Sequence, residues 1–257
     1  PRLGITGSEW VGFKHFEKLF TGRYFFPVLR NTLIISIGKL LFGFPAPIIL
    51  CLLLNEVRSL KFKKVVQTIS YLPHFISWVV LASIVQTILS PSSGVVNYII
   101  QLLGGEPIFF MGSSDWFRKV IVGSSIWRDT GWQTVVFMAA ILSIDPQLYE
   151  AADLDGAGRF QKMIYVTLPC IAPTIIIMFI MATGNVIQDD FDQIYNMLNA
   201  KVMDVGDVIG TYTYRMGIEK MNFSYATAVG LFKNVVSLIL VTFTNAFSRK
   251  LSGSSLW

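Results

Sequence analysis

Apolar and polar positions along the chain alternate in long blocks rather than in short strands. Five apolar stretches, Leu33–Leu54, Val65–Leu89, Val120–Ile144, Cys170–Ile187 and Tyr225–Phe247, approach or exceed the about 20 helical residues that cross a hydrocarbon core. In the first, Pro45 and Pro47 remove backbone donors beside Gly43, which predicts a kink. Before it, Val11–Phe26 interleaves Phe13, Phe16 and Phe20 with Lys14, Glu17 and Lys18, the pattern of a helix lying in the membrane interface. Composition agrees. Of 257 residues, 53% are hydrophobic and only 14% charged, against about a quarter charged in soluble domains. With a mean hydropathy of +0.57, the chain has too little charge to cover a soluble globule and too much apolar surface for disorder. The expectation is an all-α integral membrane protein, one transmembrane domain over residues 1–257.

Charge places the loops. Arg58, Lys61, Lys63 and Lys64 follow the first stretch, Arg159 and Lys162 lie between the third and fourth, and Arg249 and Lys250 follow the fifth. Basic residues are denser there than in the opposite loops, so these segments and the C-terminus are expected to be cytoplasmic. Residue 1 then lies outside. Pro1–Trp10 has no signal-peptide pattern, and an odd span count predicts a sixth helix upstream. The net charge of +5 is dispersed, which suits anionic lipid and not nucleic acid. Cys51 and Cys170 both lie in apolar runs, where a reduced, structural role is expected.

The segment of residues 145–169, DPQLYEAADLDGAGRFQKMIYVTLP, is the most informative. Asp145 before Pro146 is an N-cap with proline at the first helical position. Gln147–Asp155 reads as a helix, Gly156 as its left-handed cap, and Arg159–Tyr165 as a second short helix, with Pro169 opening the next span. Ala151, Ala152 and Gly156 give a bare face that another backbone can approach, beside the carboxylate of Glu150. The positions Glu150, Ala151, Ala152, Gly156, Leu168 and Pro169 reproduce the spacing of the EAA loop of binding-protein-dependent ABC importer permeases, with Val166 where isoleucine is usual. The strings Asn31–Ser36, Phe44–Val57, Tyr71–Val80 and Phe223–Phe232 also resemble the carbohydrate-type permeases, especially the polysaccharide branch, so similarity covers essentially the whole chain.

That resemblance implies a type I importer transmembrane domain in a bacterial inner membrane. The EAA helix would seat in a cleft of a cytoplasmic ATPase, making Glu150, Ala151, Ala152, Gly156, Leu168 and Pro169 the coupling residues. Partners would be a second permease, two ATPases and an extracytoplasmic solute-binding protein, with a saccharide as substrate, and the basic surplus would tolerate an acidic one such as an alginate fragment. ATP and Mg would bind the ATPases. No GxxxxGK(S/T) phosphate loop, metal-ligand spacing or catalytic Ser-His-Asp or Cys-His set occurs in the chain, so no cofactor and no enzyme activity is expected of it.

Charges within spans are expensive and usually face a cavity or partner. Lys39 and Lys233 each sit about two turns inside a span. Arg128 and Asp129 are flanked by Trp127 and Trp132, with Gln133 one step on. Neighbours on a helix point about 100° apart, so Arg128 and Asp129 are not expected to neutralise each other fully. Together with Asn185, Gln188 and Asp189 these are the candidate pathway residues, while His74 beside Pro73 reads as a packed polar residue and His15 stands alone. The competing readings are an ion- or proton-coupled carrier, which usually shows inverted repeats not found here, and a scaffold, which needs no intramembrane charge.

Overall fold

The computed structural model describes residues 7, 9–253 and 255–257, with the side chains of residues 251 and 252 left aside. Residues 1–6 and 8, within the segment that carries no signal-peptide pattern, lie outside the described residues. Helices order the chain: α1 Lys14–Thr21, α2 Phe25–Glu56, α3 Leu60–Phe75, α4 Trp78–Ile88, α5 Val95–Leu102, α6 Ser114–Leu142, α7 Pro146–Leu154, α8 Arg159–Gly184, α9 Phe191–Met197, α10 Ile209–Tyr214 and α11 Phe223–Ser252. No strand occurs among the described residues. Three helices, α2, α8 and α11, are long and apolar enough to cross a membrane, and two further crossings arise if each bent pair, α3 with α4 and α6 with α7, counts as one.

The interfacial helix is shorter than the apolar stripe suggested. It stops at Thr21, and Phe25 and Phe26 already belong to α2, because Gly22 is extended (ψ 128°). Leu19 is fully buried with Phe25, Val28, Tyr225 and Val229, and Phe20 packs edge-on against Phe25 and Phe232 at 5.9 and 5.7 Å. α1 is therefore fastened to α2 and α11.

α2 starts eight residues before the apolar window because its first turns bury Phe25, Val28, Asn31 and Thr32. The kink expected at the prolines takes the form of a π turn over Lys39–Gly43, after which α-helical pitch resumes at Pro45. A proline has no N–H to close the preceding turn, and widening that turn is one way a long helix absorbs the loss.

The second apolar stretch is not one continuous helix. After Tyr71 the chain tightens into a 3₁₀ turn over Leu72–Phe75, becomes extended at Ile76 (ψ 134°), and restarts as α4 at an angle of 108°. Pro73 lies inside the break, and the Ser77 hydroxyl caps α4 by accepting from the Val80 N–H. The apolar run continues straight through, since both arms are apolar. α6 backs this bent pair. A Cβ at Gly131 would run into the backbone carbonyl of Ser70, so only glycine lets α6 lie this close to α3.

The short helix expected at Arg159–Tyr165 is not separate. Arg159–Lys162 runs through a π turn, Met163–Thr167, into Leu168–Gly184, so the span opens at Arg159 rather than Pro169. It ends at Gly184, which leaves Ile187 in the following loop. Cys51, Leu52 and Leu54 of α2, Phe137, Met138 and Ile141 of α6, and Ile171 of α8 form one buried cluster. The C-terminal ends of α2 and α6 thus lie beside the N-terminal half of α8, at the end of the bundle that carries α7. A second cluster, with Ile35, Phe117, Ile121, Ile194 and Val208, holds the opposite end.

Gly131→Val should lower stability by at least the about 1–3 kcal/mol of an overpacked contact. Thermal unfolding of the purified protein should show a lower midpoint; an unchanged midpoint would contradict the close approach of α6 to Ser70.

Candidate translocation cavity and coupling helix

A cavity of about 340 Å³ opens between α2, α6 and the segment that follows α8. Lys39 enters from the π turn of α2, Asp129 and Gln133 from α6, and Asn185, Gln188, Asp189 and Asp190 from the end of α8 and its loop. Its charges are held in pairs. The Asp129 carboxylate lies 3.0 Å from His74 Nδ1 and 3.4 Å from Arg128 Nη1. Asp189 accepts from Lys233 Nζ at 2.6 Å and from the backbone N–H of Gly210. Asp190 accepts from Trp78 Nε1 at 3.0 Å, with Lys39 Nζ 3.9 Å away.

Lys39 has a firmer anchor. Its ammonium donates to Gln193 Oε1 at 2.5 Å, while Gln193 Nε2 donates to the Ile121 carbonyl at 2.7 Å and to Ser124 Oγ at 2.9 Å. Gln193 is fully buried, so its carboxamide is fixed and aims the lysine. Apart from the adjacent Arg128 and Asp129, each pair joins groups from different segments of the chain, as expected where water does not screen charge.

Of the pathway candidates, the fold brings Asp129, Gln133, Asn185, Gln188 and Asp189 to this cavity. Trp127, Arg128 and Trp132 are not in its wall. Arg128 and Asp129 approach each other to 3.4 Å, but the nearer partner of Asp129 is His74 at 3.0 Å and Arg128 also donates to the His74 carbonyl, so both reach a neighbouring helix as expected. Arg128 also lies over the Trp78 ring at 4.8 Å, and its Nε is buried without a hydrogen-bond partner. Trp132 stacks on His74 at 5.0 Å, an interplanar angle of 5°. Trp127 is half exposed. The sequence reading passed over Trp78, Asp190 and Gln193. The signal available for Asp190 was the doublet it forms with Asp189 after an apolar run; nothing local marked Trp78 or Gln193.

A second polar layer braces the cavity from the side away from α7. The Asp207 carboxylate is gripped by Arg215 at 2.5 and 3.2 Å and by the Thr211 hydroxyl at 2.8 Å. Asn31 donates to the carbonyls of Asp204 and Asp207, and Arg118 donates to Asn31 Oδ1 at 2.7 Å and to the Val205 carbonyl. The loop that precedes α10 is thereby tied to α2 and α6.

At the other end, α7 stands out from the bundle at 70° to α6. Asp145 caps it by accepting from the Gln147 N–H at 2.9 Å, and it closes at Gly156 with φ +75°, a conformation open to glycine and strained for most other residues. The Tyr149 hydroxyl shares a hydrogen bond with Thr167 at 2.9 Å, and Asp153 pairs with Lys162 at 2.6 Å. These contacts turn one side of α7 toward the chain. Ala152 is half-buried on that side, while Glu150, Ala151 and Leu154 face outward, Leu154 at 91% exposure. Among the described residues the Glu150 side chain has no hydrogen-bond or ion-pair partner. Leu168 and Pro169 sit in α8 instead, where Leu168 packs against the buried cluster of α2 and α6.

A helical bundle with paired charges around a cavity and an exposed helix projecting from one end is the design of a membrane subunit of a transporter. The chain belongs to the family described as binding-protein-dependent transport system inner membrane component, whose signature spans residues 43–253. It is 47% identical to protein LplB of Bacillus subtilis (strain 168) over all of this chain and 81% of that one. It is 46% identical to the polygalacturonan/rhamnogalacturonan transport system permease protein YteP of the same organism, over all of this chain and 80% of that protein. Among solved structures it matches a chain of a bacterial alginate ABC transporter in complex with alginate pentasaccharide-bound periplasmic protein, at 42% identity and TM-score 0.92 over 99% of this chain and 88% of that one. The type I importer fold and the permease role expected from the sequence are thereby established, as is membership of a system that depends on a binding protein.

The Asp189–Lys233 pair gives a test of the charge pairing. Asp189→Ala strands a buried lysine and should cost about 3–5 kcal/mol. Adding Lys233→Met should recover most of that loss in thermal unfolding of the same preparation. Losses that simply add would show that the two groups do not hold each other.

Proposed function

We propose that this chain is half of the membrane pathway of an ATP-driven importer for an oligosaccharide, received from an extracytoplasmic binding protein. A second permease supplies the other half, and two cytoplasmic ATPases bind ATP and Mg and drive the cycle, the chain itself catalysing no reaction. The observation that carries this reading is the cavity: carboxamides of Gln133, Asn185 and Gln188 beside charges already satisfied by one another. Sugar hydroxyls exchange hydrogen bonds with such groups, and paired charges do not trap a passing ligand. The names of the relatives support a polysaccharide fragment, and two of the polymers named, polygalacturonan and alginate, are built of acidic sugars.

In this reading α7 is the coupling element, and the end of the bundle that carries it, with the C-terminus, faces the cytoplasm. Glu150, Ala151 and Leu154 present a carboxylate, a bare backbone and an apolar side chain to the ATPase. Gly156 sets the angle of the helix and Leu168 anchors the span beneath it.

The deciding experiment reconstitutes the complex in vesicles with its binding protein and a panel of uronic-acid oligosaccharides. ATP hydrolysis and uptake should both rise with loaded binding protein. Uptake that survives inactive ATPases but collapses with the proton gradient would overturn the proposal in favour of an ion-coupled carrier.

Two substitutions separate the ends of the machine. Glu150→Ala removes an exposed carboxylate that supports nothing within the chain, so folding should change by no more than about 0.5 kcal/mol. Co-purification of the ATPase and stimulated hydrolysis should fall together, and a variant that keeps both would remove α7 from the coupling path. Gln133→Ala takes one hydrogen-bonding carboxamide from the cavity wall. It should raise the KM for uptake by up to about ten-fold, the worth of one net hydrogen bond, with the assembled complex intact; an unchanged KM would take Gln133 out of the path.

A further inference from the structure

A second cavity, of about 400 Å³, lies between α9, α10 and α11. It shares Gln188 and Asp189 with the first, so those two side chains form the wall between the two spaces. Both volumes fall in the range of small-molecule sites. One flank is aromatic. Phe191 and Tyr214 line it with ring centroids 5.3 Å apart, and Tyr195, outside the wall, packs on both at 5.1 Å. The other flank is polar. Gln188 Nε2 donates to Asn234 Oδ1 at 3.2 Å, which leaves the Asn234 amide protons and the Gln188 carbonyl oxygen free to meet a ligand. Gly230 faces open space: among the described residues, an added Cβ there would meet no atom within 4 Å.

An aromatic face opposite free carboxamides is the chemistry that receives a pyranose ring: its C–H face lies on the aromatic surface and its hydroxyls meet the amides. A purely structural cluster would fill its own hollow. This one stays open next to a glycine on a helix that gains nothing in stability from glycine. The Lys233–Asp189 pair at the boundary is also better placed beside a wet, ligand-holding space than against hydrocarbon.

We propose that this second cavity is a saccharide subsite in series with the first, holding one sugar residue of an oligosaccharide while its neighbours occupy the cavity of Lys39 and Gln133. The inference rests on the reading of the substrate as a saccharide. It adds a chain-length preference: an oligosaccharide long enough to cross the Gln188–Asp189 wall engages both spaces, and a disaccharide engages one.

The test uses the full complex in vesicles with its binding protein, supplied with di- and pentasaccharides of alginate and of polygalacturonate. Gly230→Leu fills the second cavity without straining α11. The ratio of pentasaccharide to disaccharide uptake should fall by roughly five- to ten-fold, the scale of one lost aromatic stacking contact. Tyr214→Ala should lower the same ratio and Tyr214→Phe should restore it, which keeps the test open if the leucine variant assembles poorly. Equal loss at both lengths, or loss of the second permease from the complex, would make the hollow a packing or subunit seat and overturn the subsite. An unchanged ratio overturns it as well. Wild-type complex that imports none of the four sugars would instead overturn the acidic-saccharide reading, and a uronate subsite with it.

Discussion

A carboxylate held at membrane depth must meet a cation or a fixed donor, and in this chain that requirement shapes both the bundle and the cavity. Asp129, Asp189 and Asp190 are each satisfied by groups from another helix: His74 from the α3 break, Lys233 from α11, and Trp78 from α4 with Lys39 of α2 nearby. The segment after α8 would otherwise be an exposed connection. Its two adjacent aspartates draw it between α2, α4 and α11, where it becomes the floor between two cavities. Removing any one partner leaves a buried charge, which explains why the pairs are distributed across helices that are far apart in sequence. The Asp207–Arg215–Thr211 set does the same for the loop before α10.

The break in the second apolar stretch follows from the same requirement. With α3 and α4 straight, His74 and Trp78 would sit about one turn apart on a single helix. Bent by 108° around Pro73, the chain sends His74 to Asp129 and Trp78 to Asp190. The turn is thus a device that lets two neighbouring residues serve two different carboxylates. Gly131 permits it, since any side chain there would displace Ser70 on the other arm.

Long apolar runs made the membrane class and most of the spans legible from sequence, because hydropathy reports burial in lipid directly. It does not report helix continuity. The run at Val65–Leu89 is apolar on both sides of its break, and the run at Cys170 begins only where α8 has already made three turns under Arg159, Lys162 and Tyr165. Polar residues at a span's mouth hide its start, and prolines inside an apolar run mark a disturbance without saying whether it is a π turn, as at Lys39–Gly43, or a sharp bend, as at Pro73. For the site, of the charges inside spans Lys39 and Asp129 line the first cavity and Lys233 the second, while Arg128 lines neither; Asp189, just past its span, borders both. The flanking tryptophans were poor pointers, because Trp132 is used to stack on His74. Gln193 lies outside every apolar window, and its role depends on a helix that only the aspartate doublet brings inside.

The cap and spacing of the α7 segment were legible because they are local: Asp145, Pro146 and Gly156 act on their own neighbours. Which side of that helix faces away was not, since it depends on Tyr149 meeting Thr167 and Asp153 meeting Lys162 across a turn. Those two contacts join α7 to the first turns of α8, and the far end of α8 carries Asn185 and the loop with Gln188 to Asp190. A push on α7 therefore acts on a helix whose opposite end is the cavity wall, and the π turn at Met163–Thr167 lies between the two. Leu168 packs against α2 and α6 just beyond that turn. One continuous helix of this chain therefore joins the exposed α7 segment to the charge-paired cavity.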